Sequence, residues 1–202
     1  MGTSTTLKAL RTKEACYDGY NKLVRSLQGR EFSDDDQELD SYIHFAHNEP
    51  ISLAHILESN GIDEALWSLR ACEQTPEMKR AERLFAVWCA RQVQHLMTDQ
   101  RSINALDVAE RFANGDATEE ELVAARNAPW GAARNAPWGV ARDAARGAPW
   151  AAVWAVARNA AWGTARDAQS EMFKAVFCGE AGLNVDALYA ANEPPHQQEK
   201  ES

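Results

Sequence analysis

No unbroken apolar run in this sequence approaches the ~18 residues that a membrane-spanning helix requires. The opening stretch "MGTSTTLKALRTK" has no apolar segment of the kind a secretory signal uses. Cysteine is scarce: Cys16, Cys72, Cys89 and Cys178 stand far apart and form no C-x-x-C pair, which argues against a disulfide framework or a zinc ribbon and for reduced thiols in a cytoplasm. A glycine-rich phosphate loop, a nucleophile-elbow serine and an H-E-x-x-H helix are all missing. No segment alternates apolar and polar residues between turn signals, so the expected class is all-α.

What is present is acid and helical periodicity. Thirty acidic against 21 basic residues give a formal net charge of -9, which disfavours direct nucleic-acid binding and suits a basic partner. The charge is unevenly spread: "EFSDDDQELD", Glu31 to Asp40, carries six acids, whereas Arg126 to Arg166 carries six arginines and one acid, Asp143.

Apolar residues spaced at three and four predict a series of helices. The first runs from Lys13 to Gln28 and stops at Gly29. The second, capped by Ser33, buries Leu39, Ile43, Phe45, Ala46 and His47 and ends near Asn48. A third follows Pro50 and closes at Asn60-Gly61, and a fourth is capped by Asp63. A long spine then starts at Thr75-Pro76 and turns Ala81, Leu84, Phe85, Trp88, Cys89, Ala90, Val93, Leu96 and Met97 to one face. Arg101 to Ala113, with Asn114-Gly115 as its stop, makes the next helix, and Thr118 with Glu121 forms a capping box for the one after it.

From Arg126 the sequence falls into eleven tetrads whose first residues read R W R W R R W W R W R. A period of four drifts by about 40° per step on a helix of 3.6 residues per turn, so only short pieces keep these side chains on one face. Pro129, Pro137 and Pro149 predict the breaks, giving kinked or segmented helix from Asn127 to Ala148 and a cleaner helix from Trp150 to Phe177. The expected organisation is a flexible N-terminus (1–12), a helical domain (13–125), the repeat array (126–178), and a short final element with a disordered tail (179–202).

The block "SLAHILESNGIDEALWSLRAC … RLFAVWCARQVQHLMTDQRSINALDVAERFANGDATEEELVAAR", followed by Ala/Trp/Arg repeats, resembles a family of bacterial and phage immunity proteins of toxin systems. The likeness runs from about Asp34 to Phe177 and is most specific at "ESNGIDEALW" and "RLFAVWCAR". It implies an all-α, non-catalytic protein that binds and neutralises another macromolecule, and it supplies no catalytic residue. Three repeats here read Ala-Pro-Trp where the family's read mostly Ala-Ala-Trp.

Two candidate surfaces follow from the residues. The acidic run offers Asp34, Asp35, Asp36, Glu38 and Asp40 to a basic protein partner, a toxin or a defence-system component. The array offers Trp130, Arg134, Trp138, Arg142, Arg146, Trp150, Trp154 and Arg158, whose rings and guanidinium groups suit either a protein partner or a nucleotide or other small anion. Packing between helices explains the same pattern, and self-association is a further use. His44 and His47, with Asp40 and His55, have zinc-like spacing, and Cys89 with His95 could make a nucleophile and base; both pairs are better explained by chance and by core packing. No metal and no cofactor are therefore expected, and an enzyme with a metal centre ranks behind the two binding readings.

Overall fold

The computed structural model describes residues 3–92, 94, 97, 99–133 and 162–191, and only the main chain at 127–133 and 162–165. The described chain is mostly helical. It divides into two compact bodies: one holds the residues up to Thr75 together with Phe173–Asn184, and the other holds the described residues from Pro76 to Met172 together with those from Val185 onward.

In the first body the chain begins as β1 (Ser4–Thr5) and enters α1 (Leu7–Thr12), where the Thr6 hydroxyl accepts from the Ala9 N–H at 3.1 Å. Expected to be flexible, this stretch instead buries Leu7 and Leu10, which lie three apart on one face of a capped turn. The single helix expected from Lys13 to Gln28 begins later, as α2 (Tyr17–Leu27), because Glu14 takes a left-handed φ of 60° and turns the chain. Cys16 then caps α2, its Sγ accepting from the Gly19 N–H at 3.4 Å. A Cβ on Gly19 would sit 3.1 Å from that sulfur, which is why the position suits glycine. Gly29, at φ +65°, closes the helix as expected.

After α3 (Asp34–Gln37) and an irregular stretch comes β2 (Ile51–Ser52), which pairs antiparallel with β1 in the register Ser4 to Ser52 and Thr5 to Ile51. The periodicity signal missed this pair, since two residues are too few to alternate. The Thr5 hydroxyl donates to the Ala71 carbonyl at 2.7 Å and ties the strand to the end of a 3₁₀ turn at Leu69–Ala71. Ser52 caps α4 (Leu53–Asn60), and Gly61, at φ +95°, both ends α4 and opens α5 (Ile62–Ser68). Asp63 therefore sits in the first turn of α5, where the helix dipole still favours its charge, and not at the cap.

The core of this body takes Tyr20, Leu23 and Val24 from α2, Leu53 and Ile56 from α4, and Ala65, Leu66 and Leu69 from the segment after Gly61. Phe173, Val176 and Phe177, at the end of α9 (Trp162–Phe177), are also fully buried. Each of the larger apolar side chains gains about 1.5–3 kcal/mol from leaving water.

The second body is built on α6 (Pro76–Gln92), which buries Ala81, Leu84, Phe85, Trp88, Cys89 and Ala90. α6 ends at Gln92, Gln94 is in a 3₁₀ conformation and Met97 is outside any helix, so Met97 does not continue the apolar face, while Val93 and Leu96 lie outside the described residues. Asp99 caps α7 (Gln100–Asn114), which ends at Gly115 in a left-handed conformation and packs against both α6 and α8 (Glu119–Ala133). The capping box forms as the spacing predicts: the Thr118 N–H donates to Glu121 at 2.8 Å and the Glu121 N–H donates to the Thr118 hydroxyl at 3.2 Å. The main chain stays helical through Asn127 and Pro129 to Ala133, so no new helix starts at Asn127. Proline there forgoes one hydrogen bond, to the carbonyl four residues earlier, without ending the helix. Pro137 and Pro149 lie outside the described residues. α10 (Asp186–Ala190) completes the body with the buried Leu188.

Replacing the buried Leu23 by alanine is expected to destabilise the chain by about 2–5 kcal/mol, and truncating the exposed Val123 by less than about 0.5 kcal/mol. Urea denaturation followed by circular dichroism measures both.

Candidate interaction face

The acidic run forms only the four-residue α3, and Asp36 is its anchor. Ser33 caps α3 in a reciprocal box: its hydroxyl accepts from the Asp36 N–H at 3.3 Å, and the Asp36 carboxylate accepts from the Ser33 N–H at 3.1 Å. The same carboxylate takes the Arg25 guanidinium, with Nε at 3.0 Å from one oxygen and 3.1 Å from the other. Arg25 is further fixed by Gln28 on its own helix, at 2.9 Å. The guanidinium and then the Ser33 N–H hold the Asp36 carboxyl well below the usual aspartate range.

Asp36 is therefore buried structure and not part of the exposed acidic face that its place in the run suggests. The other four candidates, Asp34, Asp35, Glu38 and Asp40, are exposed and have no ion-pair partner among the described residues. Beside them Leu39 is 39% exposed, the reverse of the buried position that helical spacing gives it.

The helix expected to run on to Asn48 ends at Gln37 because a second polar anchor takes over. Asn21, fully buried on α2, donates from its amide nitrogen to the Ser41 carbonyl at 3.0 Å and accepts from the Ile43 N–H at 2.8 Å. Two main-chain groups that a helix would use internally are thus claimed by one side chain. The Tyr42 hydroxyl donates to the Ala15 carbonyl at 2.6 Å, and its ring meets Tyr17 and Tyr20 edge-on, each with centroids 4.7 Å apart.

From Tyr42 to Asn48 the chain has no regular secondary structure. Phe45 and His47 stack with rings 5.8 Å apart and 11° from parallel, an i, i+2 contact that a strand-like backbone allows and a helix does not. Burial alternates along it: Ile43, Phe45 and His47 are half-buried, while His44, Ala46 and Asn48 are exposed. Asn21 carried a usable sequence signal, a polar residue at a buried helical position, whereas nothing local marks Arg25 as the partner of Asp36.

The zinc-like spacing does not become a site. His55 lies on α4 with its Nε2 3.0 Å from the Ser26 hydroxyl, the His47 ring stacks on Phe45, and no three His, Cys, Asp or Glu side chains among the described residues are placed to hold an ion. Cys89 is fully enclosed in α6, and burial pushes its thiol far above the ordinary range, which opposes formation of a thiolate nucleophile. His95 lies outside the described residues. Burial also pushes the Cys178 thiol up to about 11.

The second body holds a small cavity lined by Leu84, Val87, Trp88, Arg91, Glu110, Leu188 and Tyr189, with room for little more than a water-sized guest. Arg91 is engaged there by Asp107 at 2.7 Å and Glu110 at 2.8 Å, so it offers an anion no unneutralised charge. Of the array candidates, the main chain at Trp130 belongs to α8; Arg134, Trp138, Arg142, Arg146, Trp150, Trp154 and Arg158 lie outside the described residues. No described helix is long and apolar enough to cross a membrane. No family model matches the chain, and neither does any curated protein or solved structure.

A carboxylate more acidic folded than unfolded stabilises the fold at pH values above the unfolded value, near 4, and that stability is lost as pH falls towards the folded value. Melting temperature followed from pH 6 to pH 2 is expected to drop on the acid side for the wild type. Asp36→Asn should start lower and show a shallower decline. In a second measurement, a thiol-specific reagent should modify the exposed Cys16 promptly in the native protein and reach Cys89 only on unfolding.

Proposed function

We propose that this chain is a non-catalytic binding protein that neutralises a macromolecular partner by steric occlusion, in the manner of an immunity or counter-defence inhibitor. The observation that carries the reading is the exposed face of Asp34, Asp35, Glu38 and Asp40, set on a turn that Arg25 and Asp36 hold in one geometry. Carboxylates left without cations form a field that draws a basic partner and sets its approach, and exposed Leu39 and Tyr17 add apolar contact area on the same body. The enclosed Cys89 argues in the same direction, because burial removes the thiol that a nucleophilic reading would use. The resemblance to immunity proteins supports the class of activity and leaves the partner's chemistry to the face itself.

Native mass spectrometry of the protein purified gently from its producing cells is expected to show a copurifying protein at fixed stoichiometry. With that partner in hand, Asp34→Lys combined with Asp35→Lys should slow association at least tenfold at low salt, with a smaller effect on dissociation. An on-rate that is the same for wild type and variant and constant across salt concentrations would overturn the reading.

A further inference from the structure

In the second body the indole of Trp88 carries a donor that the protein does not use. Trp88 lies on α6 and is 6% exposed, and its Nε1 is buried with no acceptor among the described residues. An indole nitrogen only donates, so it cannot be satisfied by changing roles. Leaving such a group unpaired costs about 1–3 kcal/mol, and native interiors seldom carry that cost.

Trp88 also lines the small cavity where three helices of this body meet. Arg91 reaches it from α6, Glu110 from α7, and Leu188 and Tyr189 from α10. Its volume of ≈ 10 Å³ is that of one water-sized sphere, too small for a nucleotide or an organic anion. Apolar cavities of this size stay dry, whereas one that offers two to four polar partners holds a water. Glu110 supplies the acceptor: its Oε2 takes Arg91 at 2.8 Å, and its Oε1 has no partner among the described residues. The Tyr189 hydroxyl donates to Asn114 at 2.9 Å and keeps a lone pair for one more donor.

We infer that this cavity is a built site for a single water molecule, which accepts the Trp88 indole N–H and donates to the free carboxylate oxygen of Glu110. The water joins α6 to α7, and Leu188, 3% exposed, gives the site an apolar wall from α10. Immobilising one water costs at most about 2 kcal/mol, a cost that two hydrogen bonds from otherwise unpaired groups offset.

The test is magnetisation transfer between water and the Trp88 indole proton, measured on the full chain with ¹⁵N-labelled tryptophan. Work near pH 5 keeps guanidinium protons from exchanging fast enough to relay the signal. Trp88→Phe assigns the resonance by its loss. A water held in the cavity is expected to give laboratory-frame and rotating-frame Overhauser peaks of opposite sign at that proton. Glu110→Leu removes the acceptor while Asp107 still holds Arg91, and should cut the peaks at least fivefold with the cooperative thermal transition kept as the control for folding. Tyr189→Phe should keep at least half of their intensity. No peak in the wild type would overturn the site. Loss of the peaks in Tyr189→Phe would overturn it as well, by making the Tyr189 hydroxyl the direct partner of the indole, and full intensity in Glu110→Leu would overturn the bridge to α7.

Discussion

The ion pair between Arg25 and Asp36 is the constraint on which the candidate interaction face depends. The side chains are only 17% and 8% exposed, so neither charge is well solvated and each needs the other. By holding Asp36 inward, the pair fixes the short α3 against α2 and leaves Asp34, Asp35, Glu38 and Asp40 outward. A surface of four like charges is self-repelling. It persists because the fifth carboxylate is tied to a cation and to a capping serine, and that anchorage offsets the repulsion among its neighbours.

Asn21 carries the same logic one step along the chain. A buried amide with donor and acceptor both satisfied by main chain is a strong local determinant, because leaving either group unpaired costs about 1–3 kcal/mol. Its two bonds, to Ser41 and Ile43, take two main-chain groups that a continuing helix would use. The consequence is an irregular segment inside a helical body, held at its start by Asn21 and by the rings of Tyr17, Tyr20 and Tyr42. Two anchors from one face of α2, at Asn21 and Arg25, are one helical turn apart, so a single helix fixes both the acidic turn and the start of the irregular stretch that follows.

Most helix positions were legible in the sequence because caps and stops act locally. Gly29, Asn60-Gly61, Gly115 and the Thr118 to Glu121 box lie where their chemistry requires. The failures share a cause. The helix expected to reach Asn48 has good periodicity at Leu39, Ile43 and His47, and it is overruled by side chains from α2 that lie about 20 residues away in sequence. Asp36 read as one acid among six because its partner, Arg25, belongs to a different element. The two-residue pairing of β1 with β2 joins Thr5 to Ile51, 46 positions apart and beyond the range of any periodic pattern. Local rules place elements, whereas the candidate face is made by contacts between elements, so its charges were legible and its geometry was not.

Charge and apolar contact divide the work of recognition differently. Exposed carboxylates act over about a Debye length, near 8 Å at physiological ionic strength, and so govern encounter and orientation more than the strength of the final complex. Apolar side chains act only at contact. In the proposed reading the acidic turn selects for positive charge at long range, and the exposed Leu39 and Tyr17 on the same body supply contact area at short range. The combination needs no deep pocket. Inhibition by such a surface would consist of covering a basic segment that the partner requires for its own activity.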